Sequence, residues 1–331
     1  DGVVDPAFAV TMGRLGGLAV LNLEGVQTRY EDADEQLDRI AALPTETATR
    51  TMQEIYREPI KPELIARRVK EIKEGGVLAA ASLTPQRVEE FYQVALDAGL
   101  DVLVVQGTVV SAEHVSARTE PLDLKRFIRD CPVPVVVGGV ASYATTLHLM
   151  RTGAVGVLVG VGPGHACTTR GVLGIGVPQA TAIADAAAAR VQHLLETGEY
   201  CDVIADGGMR TGGDVSKAIA LGADAVMIGS PLAAADEAPG RGYHWGMATF
   251  HPELPRGTRV KAGRKGTLRE ILLGPAHEND GTRNLFGALR TSMATCGYET
   301  LSSFQKAEVM VAPALMTEGK KLQKEQDVGM G

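Results

Sequence analysis

The sequence predicts a (β/α)₈ barrel of the TIM type, on three observations. Seven short apolar, β-branched runs have the length and composition of strands: Leu18–Leu21, Val77–Ala81, Val102–Val105, Val133–Val137, Val155–Val159, Val203–Ala205 and Ala225–Ile228. Nearly all are followed by a segment of helical periodicity, as at 85–98, 144–150, 179–195 and 213–221, and unbroken apolar strands suit a parallel sheet buried on both faces. The strand ends are repeatedly glycine-rich, at Gly138-Gly139, Gly160 to Gly164, Gly207-Gly208 and Gly229, as where loops at the carboxyl ends of strands surround one ligand. A strand-helix repeat also admits a doubly wound sheet. The glycine pattern favours the barrel, and seven strands leave one of eight to find.

In chain order, a helical pattern (Ala7, Val10, Met12, Leu15) ends at Gly16-Gly17. The chain opens on Asp1 rather than methionine, so an amino-terminal piece with the first strand is expected to be missing. The charged stretch from Glu31 to Lys73 reads as a helix, a connector and a second helix, a peripheral excursion at 31–73. From Asp236 to Pro275, Gly, Pro, His and charge are dense and periodicity is poor, the pattern of a long loop over the barrel mouth. One catalytic domain is expected over 1–312, with 313–331 a solvated tail.

Bulk properties exclude several function classes. At 331 residues, a net charge of -7 and a pI near 5.6 provide no basic field for nucleic acid or an anionic membrane. The start carries Asp1, Asp5 and Arg14 rather than a basic then apolar leader, and no apolar run is long enough to span a bilayer. A cytoplasmic protein with reduced thiols, acting on a small molecule, is expected. The four cysteines, Cys131, Cys167, Cys201 and Cys296, lack C-x-x-C spacing. Cys131, Cys201 and Cys296 read as small buried hydrophobes.

Cys167 reads differently. It lies in Gly160-Val-Gly-Pro-Gly-His-Ala-Cys-Thr-Thr-Arg170, a glycine-rich turn after a strand, with Thr168 and Thr169 beside it. Such a turn exposes a thiol at the barrel mouth, where backbone N–H dipoles and Arg170 favour thiolate. A second segment, Val203-Ile-Ala-Asp-Gly-Gly-Met-Arg-Thr-Gly-Gly-Asp-Val-Ser-Lys217, is followed by Gly222-Ala-Asp-Ala-Val-Met-Ile-Gly-Ser230. Two neighbouring strands that end in Gly-Gly and Gly-Ser before a helix suit a phosphate, and Asp206 is placed to accept from ribose hydroxyls.

Together these residues resemble the IMP dehydrogenase/GMP reductase family, with its G-x-G-P-G-S-x-C-x-T-R loop and A-D-G-G phosphate motif, from Asp1 to about Ala312. The resemblance implies that Cys167 attacks purine C2, that Thr169 assists there, and that the carbonyls of Gly162, Gly164 and Cys167 hold a monovalent cation such as K⁺. It implies that Asp206 binds ribose, that Gly208, Gly229 and Ser230 bind the 5'-phosphate, and that Gly207, Tyr243, Gly246 and Met247 complete the nucleotide site. The nicotinamide cofactor, NADPH or NAD, would lie at Gln106, Gly107, Gly138 and Gly139. Glu253 aligns with the carboxylate at the purine N1 edge. Homotetramers or homo-octamers are implied, and the 31–73 stretch is too short for the regulatory domain pair that many dehydrogenases carry there.

Departures bear on the reaction. The chain has Gln106 where the family usually has an aspartate, Gly138-Gly139-Val140 for Gly-Gly-Asn, and His165 for serine. It has no room for the flap whose Arg-Tyr pair activates water. The pattern resembles the third, dehydrogenase-related class of actinobacteria and cyanobacteria. The resemblance implies NADPH-dependent deamination of GMP to IMP; NAD-dependent oxidation of IMP and a non-catalytic purine-nucleotide barrel stay open.

Overall fold

The computed structural model describes residues 1–107, 109–110, 122–246, 259–310 and 325. Its main sheet is β1 (Val20–Asn22), β2 (Ala80–Leu83), β3 (Val102–Gln106), β4 (Val135–Val140), β5 (Gly156–Val159), β6 (Asp202–Asp206) and β7 (Ala225–Met227). All seven strands are parallel and lie in chain order, with β1 and β7 as the edges among the described residues. Each matches one of the seven apolar runs, shifted by a few residues. β1 and β2 begin later than the runs, because Leu18 and Leu78 lie exposed at the strand entrances. β3 and β6 extend onto a polar residue each, Gln106 and Asp206.

Alternation along the strands assigns the two faces. Val104, Val136 and Leu158 form one small cluster, with Val20, Val102, Ile204 and Met227 against it. Leu103, Val105, Val135, Val137, Val157, Val159, Val203 and Ala205 belong to the large core beneath the helices. A two-residue period puts Gln106 and Asp206 on the same inner face as Val104 and Ile204. Gln106 Nε2 donates to Asp206 Oδ2 at 3.2 Å although β3 and β6 are three strands apart. Only a curled sheet brings those ends together, and the barrel reading is thereby met.

The helices are α1 (Pro6–Arg14), α2 (Ala33–Ala42), α3 (Thr45–Ile55), α4 (Pro62–Glu74), α5 (Val88–Asp97), α6 (Leu124–Asp130), α7 (Tyr143–Met150), α8 (Thr169–Leu173), α9 (Gln179–Thr197), α10 (Gly212–Ala220), α11 (Ser230–Ala233), α12 (Leu268–Leu273), α13 (Leu285–Thr295) and α14 (Leu301–Phe304). Most start on a polar cap whose side chain accepts from an orphan N–H, as Asp5 does from Phe8 at 2.7 Å.

The 31–73 stretch holds three helices where the pattern suggested two. α4 is not peripheral: Ile65, Val69 and Ile72 enter the main core. α2 and α3 carry a small core of their own, in which Leu37, Ile40, Met52 and Ile55 pack with Val26 and Trp245. The described parts of the 236–275 region, 236–246 and 259–275, hold regular structure that the composition did not suggest: α12 and an antiparallel pair, β8 (Tyr243–His244) and β9 (Val260–Lys261). The 313–331 tail lies outside the described residues except Glu325.

Candidate active site

The ends of β5 and β6 build the centre. Gly162 has φ of +73°, and a Cβ there would fall 2.7 Å from Arg170 Cγ, so only glycine lets the loop close over that side chain. The amide of Cys167 donates to the Gly164 carbonyl at 3.0 Å, which tightens the turn before α8. Cys167 is exposed. Its thiol donates to Thr169 Oγ1 at 3.2 Å, and Thr169 is buried at the first position of α8. A nucleophile facing solvent with a fixed hydroxyl beside it is thus built within three residues.

Arg170 departs from expectation. Its guanidinium donates to the carbonyls of Val161 and Val177, the two ends of the loop, rather than to the thiol. It is a clamp on the loop's shape. Gln179, for which the sequence suggested no role, is a second staple. Its Nε2 donates to the Val159 carbonyl at 2.7 Å and the Asp206 carbonyl at 3.3 Å, tying β5 to β6.

The Cys167 loop rests on the predicted phosphate segment. Gly207 and Gly208 both have φ of +81°, and a Cβ on either would meet Pro163, at 3.3 and 3.0 Å. This contact juxtaposes the thiol loop with the end of β6. Burial pushes the Asp206 carboxyl up to about 6, against the opposing pull of Gln106. The amino end of α10, by contrast, is filled: Thr211 and Asp214 form a capping box, and Gly212 packs on Leu285 and Ala288 of α13. The open glycine is Gly229, where a Cβ would meet nothing within 4 Å, next to Ser230 at the start of α11.

On the far side of Ser230 stands His244, whose Nε2 lies 2.9 Å from Ser230 Oγ. Burial, with His165 acting in the same direction, lowers the His244 pKa to about 4, so the ring is neutral at physiological pH. The rings of His165 and His244 lie 6.3 Å apart, centroid to centroid. Tyr243, the residue expected to face substrate, turns the other way. It packs on the α2–α3 cluster under Arg259, whose guanidinium carbon is 4.4 Å from the ring centre. Strand alternation assigns His244, not Tyr243, to the site. Gly246 approaches the Ala166 carbonyl. Met247 and Glu253 lie outside the described residues.

At the ends of β3 and β4, the Gly107 amide donates to the Gly138 carbonyl and the Gly139 amide to the Gly107 carbonyl. Gly138 and Gly139 are buried, and a Cβ on Gly138 would fall 2.4 Å from Leu158 Cβ. Glycine there serves packing, which leaves Gln106 and Gly107 as the half-exposed part of this rim. Of the cysteines read as core, Cys201 is buried, Cys131 half-buried, and Cys296 exposed, because it caps the surface end of α13. Among the described residues no group of three or more His, Cys, Asp or Glu could hold a metal ion. No described helix is long and apolar enough to cross a membrane.

Comparison with known proteins agrees with this geometry. A solved structure from Corynebacterium glutamicum, described as an IMP dehydrogenase/GMP reductase-like protein, superposes with a TM-score of 0.89 at 44% identity, over 94% of this chain and 83% of that one. Uncharacterized oxidoreductases of Mycolicibacterium smegmatis and Mycobacterium leprae are 47% and 49% identical over 94% of this chain, and over 85% and 86% of their own lengths. An inosine-5'-monophosphate dehydrogenase of Haemophilus influenzae is 39% identical over 78% of this chain and 54% of its own. The family described as IMP dehydrogenase / GMP reductase domain matches residues 1–251. With that match over most of the chain, joined to a curled parallel sheet and an exposed cysteine loop, this protein belongs to the IMP dehydrogenase/GMP reductase family of oxidoreductases.

Proposed function

We propose that the chain reduces GMP to IMP with release of ammonia, using Cys167 as nucleophile. The observation that carries the chemistry is the exposed Cys167 thiol bonded to Thr169 Oγ1, on a loop seated against Gly207-Gly208. A non-catalytic barrel has no need of that pair. Asp206 accepts from the ribose hydroxyls, while Gly208, Gly229 and Ser230 take the phosphate, with His244 holding the Ser230 hydroxyl. On the family motif alone, Glu253 is assigned as the acid for the purine edge and Met247 to nucleotide binding; both lie outside the described residues.

The Cys167 thiolate adds to C2 of GMP, and the C2–N bond breaks as ammonia leaves with a proton delivered through Thr169. Gln106 and Gly107 would hold a reduced nicotinamide, NADPH in preference, whose chemistry would be hydride supply to C2. The C–S bond then breaks, returning thiolate and releasing IMP. The Gly164–Cys167 turn presents the carbonyls of Gly162, Gly164 and Cys167 on one loop, neutral oxygens of the kind K⁺ takes; a K⁺ ion there would stiffen it.

The reductive direction is supported by the chain between β8 and β9. Residues 247–258 leave no length for a water-activating flap. The second reading, NAD-dependent oxidation of IMP, is favoured by the relatives named inosine-5'-monophosphate dehydrogenase. NADPH oxidation with GMP and NAD reduction with IMP, each followed with a Cys167→Ala control, separates the two. Turnover only with IMP and NAD would overturn the first reading, and a fully active Cys167→Ala would overturn both.

A further inference from the structure

The β8–β9 ribbon has two faces. His244 meets Ser230 in the site, whereas its neighbours Tyr243 and Trp245 face the α2–α3 pair. Trp245 is 3% exposed in the cluster formed by Leu37, Ile40, Met52 and Ile55. Its Nε1 donates to Tyr56 Oη at 2.6 Å, and that hydroxyl in turn donates to the Asp1 carboxylate. Asp1 also accepts from Asn22 Nδ2 at 2.6 Å, so the chain of bonds ends on β1.

Two arginines fasten the ribbon to α2. Arg241, just before β8, donates to Asp38 at 2.8 Å and Asp34 at 3.0 Å. Arg259, just before β9, donates to the carbonyls of Ile40, Ala41 and Leu43 at the carboxyl end of α2. These are carbonyls a helix end leaves without partners, and a planar guanidinium can serve several at once.

We propose that the α2–α3 pair is a positioning module for the active site: it grips the outer face of the β8–β9 ribbon so that the inner face holds His244 on Ser230 and Gly246 against the Cys167 loop. Arg259 and Trp245 are its positioning residues. The proposal rests on the nucleotide-site reading for its effect on affinity, but not for its effect on the cysteine loop.

The chain has one tryptophan, Trp245, so its fluorescence reports the grip directly. In Arg259→Ala, acrylamide quenching of Trp245 should rise, alkylation of Cys167 by iodoacetamide, followed peptide by peptide, should speed at least about threefold, and Kd for GMP and IMP should rise about tenfold. These are read well below the melting temperature. Arg259→Lys, which keeps charge but loses the fork, should not restore them, and Arg50→Ala on the exposed face of α3 should change nothing. An exposed Trp245 with wild-type Cys167 reactivity and wild-type affinity would reduce the module to a stability element and overturn the proposal; so would a Trp245 that stays protected. If wild type binds neither nucleotide, the purine reading fails while alkylation still judges the module.

Discussion

Cys167 and Thr169 are two residues apart, and their groups meet because the Gly164–Cys167 turn hands the chain directly to α8, with Thr169 at its first position. On the proposed reaction, the pair divides one displacement into addition and departure: sulfur forms the bond, and the hydroxyl, buried and fixed, serves the group that leaves. Thr169→Val keeps the shape and removes only the oxygen. It is expected to lower turnover about 10²-fold, the smaller end of what positioned proton transfer contributes. With GMP and no reduced nicotinamide, the covalent Cys167–nucleotide adduct that remains once ammonia has left should form correspondingly more slowly, as intact-protein mass after rapid quenching would show. Equal turnover in wild type and variant would remove Thr169 from the chemistry. That a thiol and a hydroxyl share this glycine turn was legible in the sequence, and the structure brings the two groups into contact. The partnership of Gln106 with Asp206 was not, because a hydrogen bond across 100 residues exists only once the sheet curls.

At the scale of elements, strands were readable because burial on both faces leaves continuous apolar runs, while their ends drifted where a rim position called for Gln106 or Asp206. α3 was missed: in Thr45–Ile55 only Ala48, Met52 and Ile55 are buried, a thin stripe within a polar segment. His244 was passed over for Tyr243 although the alternation was present in the sequence, because choosing between faces requires knowing which side α2 occupies. Glycines, alike in sequence, divide by what surrounds them. Gly138→Ala would drive a methyl into Leu158 and should cost about 1–3 kcal/mol by overpacking. Gly229→Ala meets open space at an ordinary negative φ, so its melting temperature should match wild type. If the phosphate lies there, Gly229→Ala should nonetheless weaken GMP binding about tenfold in calorimetric titration. Unchanged affinity would move the phosphate elsewhere.

For the whole molecule, the site sets two opposing dependences of stability on pH. Burial lifts Asp206 from 3.8 to about 6 in the fold, so the folded state keeps its proton longer than the unfolded chain. That contribution is fully present below pH 4 and is lost as pH rises through 6, on the order of 3 kcal/mol at about 1.4 kcal/mol per unit. His244 runs the other way. Its folded pKa of about 4 lies below 6.5, so its contribution is present above pH 6.5 and is lost as pH falls through 4, by a similar amount. In wild type the two slopes largely cancel between pH 6.5 and 4. Asp206→Asn removes one of them, along with the cost of an ionised buried carboxylate at neutral pH. The variant should therefore melt a few degrees higher than wild type at pH 7.5, lose that advantage on acidification to pH 4.5, and bind nucleotide poorly throughout. Melting curves at pH 7.5, 6.0 and 4.5 read the first two effects, and titration with GMP the third. Parallel melting-against-pH curves for the two proteins would show that Asp206 does not carry the buried charge. On the proposed ribose-binding role, a site that raises the pKa of the carboxylate it needs ionised gives up stability at neutral pH for the ability to accept from a diol, and the titration with GMP separates that role from the stability effect alone.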